Sequence, residues 1–259
     1  MPNISIFKHE NPHNILCIIL ISLLPLSLLT GSMVINIFCV LIVSIFLYES
    51  FKSKNFTFLK TNEFLILFIF WIFLLINISL STNFQNSYQR GFGFTRFILL
   101  VFALRYYFCF NNNKYWKIII TSWTIVFLVV TFDLLFESYF GFNTFGFKSA
   151  YSGRLAGFLN DELKIGGYYY GFIFIVLIYI LQDHKKFFYI ALFIFLLAAL
   201  LIGERANFLK IFLILVPFVL FLIFANKIRI KYICITLFLS ILAVSIVIIY
   251  KPIYKERFY

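Results

Sequence analysis

Apolar runs of helix-spanning length follow one another along almost the whole of this chain, and the polar residues between them come in short islands. With 63% hydrophobic residues, 12% charged residues and a mean hydropathy of +1.00, the 259 residues cannot supply the polar exterior of a water-soluble fold. A helix needs about 20 residues to cross the hydrocarbon, which is the length of these runs. The predicted class is therefore all-α: a polytopic helical membrane protein with about nine transmembrane helices in a single integral domain, 1–259.

The expected spans are Ile15–Thr30, Met33–Tyr48, Glu63–Leu80, Phe92–Phe110, Tyr115–Leu135, Ile165–Leu181, Phe187–Ile202, Ala206–Ala225 and Tyr232–Tyr250. Pro25 and Pro217 fall inside two of them and predict kinks. The net charge of +12 belongs first to topology, since lysine and arginine beside spans orient them and face anionic lipid; nucleic acid is not an indicated partner. With the N-terminus in the cytoplasm, every cytoplasmic connection is basic, among them Lys52, Lys54 and Lys60, then Lys185 and Lys186, then Lys227, Arg229 and Lys231. Arg90, Arg96, Arg154 and Arg205 then fall on the opposite face, away from the positions that set orientation, and read as ligand groups. Cys17, Cys39, Cys109 and Cys234 lie in or beside apolar runs with no metal-ligand spacing, and are expected to be buried small apolar residues; no metal or other cofactor is expected.

Polarity is densest from Gly153 to Gly167, which holds Arg154, Asp161, Glu162 and Lys164 among four glycines. A second island, Gly203-Glu204-Arg205-Ala206-Asn207, separates the next pair of runs, and the topology puts both on one face. Ionisable groups held between spans are costly and mark sites, while Asn160, Asp161 and Glu162 are equally suited to capping the helix that follows. Arginine suits a diphosphate, because its planar fork makes two charge-assisted hydrogen bonds and keeps its proton. Arg205 also opens a span, where free N–H groups favour an anion; the alternative is an ion pair with Glu204, Glu162 or Asp161. Arg90 and Arg96 are either secondary anion contacts or interfacial anchors. Asp133 and Glu137, one helical turn apart, are either a working carboxylate pair or partners of nearby arginines.

In order along the chain, Phe132-Asp133-Leu134-Leu135-Phe136-Glu137, Gly141-Phe142-Asn143-Thr144-Phe145-Gly146, Gly153-Arg154-Leu155-Ala156-Gly157-Phe158 with Asn160-Asp161-Glu162, and Gly203-Glu204-Arg205 resemble the O-antigen ligase and O-antigen polymerase family of bacterial envelope enzymes. The resemblance covers Phe132 to Phe208, and the rest in hydropathy alone. It implies a metal-independent glycosyltransferase of the bacterial inner membrane that takes a glycan from undecaprenyl diphosphate at the periplasmic face and passes it to a lipid or glycan acceptor. Arg154 and Arg205 would hold the diphosphate, with Asp133, Glu137, Asp161 and Glu162 as candidate bases. Family ligases also carry a histidine on a large outer loop after the ninth span. His9, His13 and His184 all fall on the cytoplasmic side here, so the chain is expected to match the N-terminal two-thirds of such an enzyme and to be incomplete as a catalyst. The competing readings are a transporter or flippase of lipid-linked glycans, expected to show repeats and midplane polar groups, and a non-catalytic membrane partner in glycan assembly.

Overall fold

The computed structural model describes residues 12–82, 84–109, 115–151, 153–159 and 164–250. The chain packs as two compact units, 1–119 and 120–259. Every regular element among the described residues is helical, as the hydropathy predicts.

In the first unit, α1 (Pro12–Ser22) and α2 (Leu24–Thr30) form one apolar segment bent by 54° at Leu23. The bend falls where Pro25 enters the first turn of α2, a position at which its missing N–H costs nothing. Helix α3 (Ser32–Lys52) packs on α1, α2 and α6 (Thr95–Cys109). Cys17, Ile42, Phe46, Phe102 and Tyr107 are buried there, with the Phe46 and Phe58 rings 5.2 Å apart and Phe58 and Phe102 5.7 Å apart. Between α4 (Asn62–Ser79) and α6 lies a helix that hydropathy alone does not mark as separate, α5 (Phe84–Gly93), packed against α4. Its signature was the recurrence of Phe84, Tyr88 and Phe92 at every fourth residue.

The second unit takes in most of α7 (Trp116–Phe140), then α8 (Ile165–Asp183), α9 (Phe188–Leu201), α10 (Arg205–Phe224) and α11 (Ile230–Tyr250). Phe127 of α7 is fully buried between Tyr169 of α8, 4.6 Å away by ring centroids, and Phe195 of α9, 5.0 Å away. Thr131 donates to the Phe127 carbonyl at 2.8 Å and meets the Tyr169 hydroxyl at 3.2 Å, so the buried phenol keeps a partner. Helix α10 runs on unbroken through Pro217.

Among the described residues, six helices are long and apolar enough to cross a membrane, and the bent α1–α2 pair makes up to seven. Two of the nine expected spans fall outside this set. Helix α9 has 14 residues, a rise of about 21 Å against a hydrocarbon core of about 30 Å, and the described apolar part of α11 is Ile230–Ala243. Cys17 and Cys39 are buried as expected, whereas Cys234 is exposed on the face of α11 that also presents Phe238 and Ile241. The side chain of Cys109 lies outside the described residues.

Candidate functional site

Helix α7 ends at Phe140 and α8 begins at Ile165, so the segment between them and the α9–α10 connection, Ile202 to Glu204, share one end of the second unit. What shapes this end is a pair of carboxylates. Asp133 and Glu137 are 0% and 3% exposed, and each takes its partners from the returning loop. Asp133 Oδ1 accepts from the Thr144 amide at 2.8 Å and from the Thr144 hydroxyl at 2.6 Å. Glu137 Oε1 accepts from the Ala156 amide at 3.2 Å, and its Oε2 from the Gly157 amide at 2.8 Å. The arginine partners expected for these two acids are therefore replaced by backbone N–H groups and one hydroxyl. A buried carboxylate needs donors on its lone pairs, and backbone amides outside a regular helix are available to supply them.

Asn143, 1% exposed, folds the loop's first half. Its Oδ1 accepts from the Phe145 and Phe147 amides at 3.0 and 2.8 Å, and its Nδ2 donates to the Gly157 carbonyl at 2.9 Å. The sequence did hold a signal for this turn: Asn143 with Gly146 three residues on is turn chemistry. Gly157, at φ +55°, sits so close to α7 that a methyl there would be 3.3 Å from Leu134 Cδ2 and 3.6 Å from Asp133 Oδ2. That Oδ2 is enclosed and makes no hydrogen bond.

The two polar islands meet. Leu155 N donates to the Ile202 carbonyl at 3.3 Å, and Gly166 N, in the first turn of α8, donates to Glu204 Oε1 at 3.3 Å. Glu204 Oε2 also accepts from Asn207 Nδ2, and Lys210 Nζ donates to Asn207 Oδ1 at 3.2 Å while lying 5.9 Å from the Tyr170 ring centroid. Glu204, Asn207 and Lys210 thus make a polar ladder at three-residue spacing on α10. Asn207 and Lys210 were not singled out from sequence, although that spacing and a lone lysine inside an apolar run were visible. A Cβ on Gly166 would stand 2.7 Å from Glu204 Cδ and 3.0 Å from Asn207 Nδ2, so these side-chain ends would have to shift to admit it.

Arg154 lies one residue before the Leu155–Ile202 tie, partly exposed, with its Nε enclosed and without a hydrogen-bond partner. Arg205 is exposed as the first residue of α10, three positions after Ile202. Asp161 and Glu162, with Asn160, lie outside the described residues. Helix α8 starts after Lys164, so its N-cap position is not Asn160 or Asp161 as expected. Arg90 and Arg96 belong to the first unit. Arg90 is exposed toward a groove on α4 and α5, and Arg96 is half-buried with its Nε unpartnered and its guanidinium carbon 4.9 Å from the Phe97 ring centroid. Among the described residues no group of three or more His, Cys, Asp or Glu is placed to hold a metal ion.

No protein-family model, no curated protein and no solved structure matches the chain.

The site's chemistry divides by role. Asp133 and Glu137 are buried and hold the loop through their carboxylates. Arg154 stands beside the tie that joins the islands, and Arg205 opens α10 three positions after it.

Proposed function

We propose that this chain handles a lipid-linked glycan in the manner of an O-antigen ligase or polymerase, gripping the diphosphate of an undecaprenyl-diphosphate donor with Arg154 and Arg205. The observation that carries the reading is Arg154 itself: a guanidinium with an enclosed, unpartnered Nε, fixed beside the backbone tie that joins the two polar islands. A buried N–H without a partner is costly, and an anionic ligand is the partner that removes the cost. Arg205 supports the same reading from the first turn of α10, where helix N–H groups add to the attraction for a phosphate.

On this reading the arginines stabilise charge on the departing diphosphate as an acceptor hydroxyl attacks the anomeric carbon. The acidic clamps keep the Arg154 loop in place and take no proton from the acceptor. The islands then face the periplasm and the basic connections the cytoplasm of a bacterial inner membrane. The test is direct. Purified chain in detergent should bind undecaprenyl diphosphate saturably, and Arg154→Ala should weaken that binding by about tenfold or more, the loss expected for a charge-assisted pair. Equal binding by the wild-type and Arg154→Ala chains would end the proposal.

A further inference from the structure

A separate groove on the first unit has the form of a lipid site. Helices α4 and α5 run antiparallel and face each other through two stripes: Phe70, Leu74, Asn77, Ile78 and Ser81 on one side, Ser87, Arg90, Gly91 and Phe94 on the other. Both stripes follow the three- and four-residue spacing of a single helix face. Between them lies a space of about 550 Å³, a size at which proteins hold small ligands. Phe70 and Ser81 are 11 positions apart, so the groove is about 16 Å long.

The groove is graded along its length. At one end the Ser81 and Ser87 hydroxyls are bonded at 2.8 Å across the hairpin, and at the other the Phe70 and Phe94 rings pack edge to face with centroids 5.9 Å apart. The walls are stiff. Gly91 lies so close to α4 that a methyl there would overlap Ile78, with Cγ1 at 3.2 Å, and its carbonyl accepts from Trp71 Nε1 at 3.2 Å. The Trp71 ring in turn stands edge-on to Phe92, 6.2 Å away, which packs against Tyr88 at 4.4 Å. Into this space open Asn77 and Arg90, neither with a hydrogen-bond or ion-pair partner among the described residues.

We infer that this groove binds an anionic phosphodiester lipid of the surrounding bilayer, its phosphate on Arg90, its headgroup against Asn77 and the serine pair, and the start of an acyl chain along Phe70, Leu74 and Phe94. Arg90 presents an exposed guanidinium at the open side of the groove, where a phosphate meets it in a charge-assisted pair while the acyl chain covers the apolar wall of α4. Charge selects the class of lipid. Among the described residues Arg90 is the one charged residue lining the groove, so a phosphodiester with a single negative charge balances it, whereas a diphosphate would leave charge uncompensated. Among the same residues no carboxylate lines the groove to meet the ammonium of a zwitterionic headgroup.

The experiment uses the full chain in detergent, stripped of lipid, with bound adducts counted by native mass spectrometry. Dihexanoyl phosphatidylglycerol should bind as one saturable adduct, and dihexanoyl phosphatidylcholine should bind far more weakly. Arg90→Ala should raise the Kd for phosphatidylglycerol by about tenfold or more, and Arg90→Lys should fall between. Arg90→Gln gives the same contrast should the alanine form fail to fold. Leu74→Trp fills the apolar end with Arg90 intact, and should abolish the adduct. Undiminished binding in the Arg90→Ala and Arg90→Gln chains, equal binding of the two lipids, or undiminished binding in Leu74→Trp would each overturn the inference. Displacement of the lipid by an equal concentration of inorganic phosphate would overturn the acyl-chain seat.

Discussion

Removing the Glu137 carboxylate tests whether the acids of α7 hold the loop that carries Arg154. Glu137 is 3% exposed and accepts from the Ala156 and Gly157 amides at 3.2 and 2.8 Å, each a bond to an ionised acceptor. Such bonds contribute about 1.5–3 kcal/mol apiece, so Glu137→Ala should cost about 3–6 kcal/mol of local stability, less whatever water entering the gap restores. Glu137→Gln is the sharper variant. Its amide keeps one acceptor oxygen but turns an NH2 toward a backbone N–H, leaving a buried donor unmatched at a cost of about 1–3 kcal/mol. Hydrogen exchange in detergent reads the effect at the two amides themselves. Opening free energy falling by about 3 kcal/mol means exchange at Ala156 and Gly157 faster by roughly two powers of ten, with amides in the middle of α8 unchanged. If both variants leave exchange at Ala156 and Gly157 as in the wild type, the carboxylate is not the clamp, and Glu137 returns to the list of candidate bases.

Gly166→Ala should push Glu204 and Asn207 from the start of α8, costing about 1–3 kcal/mol as an overpacked contact, and should show as a lower melting temperature in detergent and faster exchange at residue 166. A rise in melting temperature, as helix propensity alone would give, refutes that close approach. Thr144→Val keeps the amide bond to Asp133 and loses the hydroxyl bond at 2.6 Å, so it should destabilise the loop by about 1 kcal/mol, less than either Glu137 variant; an effect as large as theirs would show that Asp133 is the dominant clamp. Arg205→Lys should recover only part of the undecaprenyl diphosphate binding lost in Arg205→Ala, since a point charge replaces a planar fork; full recovery would leave charge alone as the determinant. In a chain without its native cysteines, cysteine at Ala150 should react with an impermeant thiol reagent on intact cells and cysteine at Ser53 or Asn226 should not, all three positions being exposed in the fold. The reverse pattern would invert the orientation.

Hydropathy by itself determined the class and the course of the helices, because in hydrocarbon each helix must close its own hydrogen bonds and so leaves a continuous apolar run in the sequence. Thus α8 and α10 begin at Ile165 and Arg205, within a residue of the expected starts, and the segment holding Pro25 bends at Leu23. Helix α5 was less legible. Its polar residues hid it from hydropathy, and only the spacing of Phe84, Tyr88 and Phe92 betrayed it. What tertiary structure alone decided is who meets whom at the end of α7. The partners of Asp133 and Glu137 are mostly backbone amides, which every residue but proline carries, so no pattern of side chains could have named Ala156 or Gly157. The same holds for Gly166, whose close neighbour is a glutamate 38 positions away in the chain and within hydrogen-bond reach only once α8 and α10 have packed.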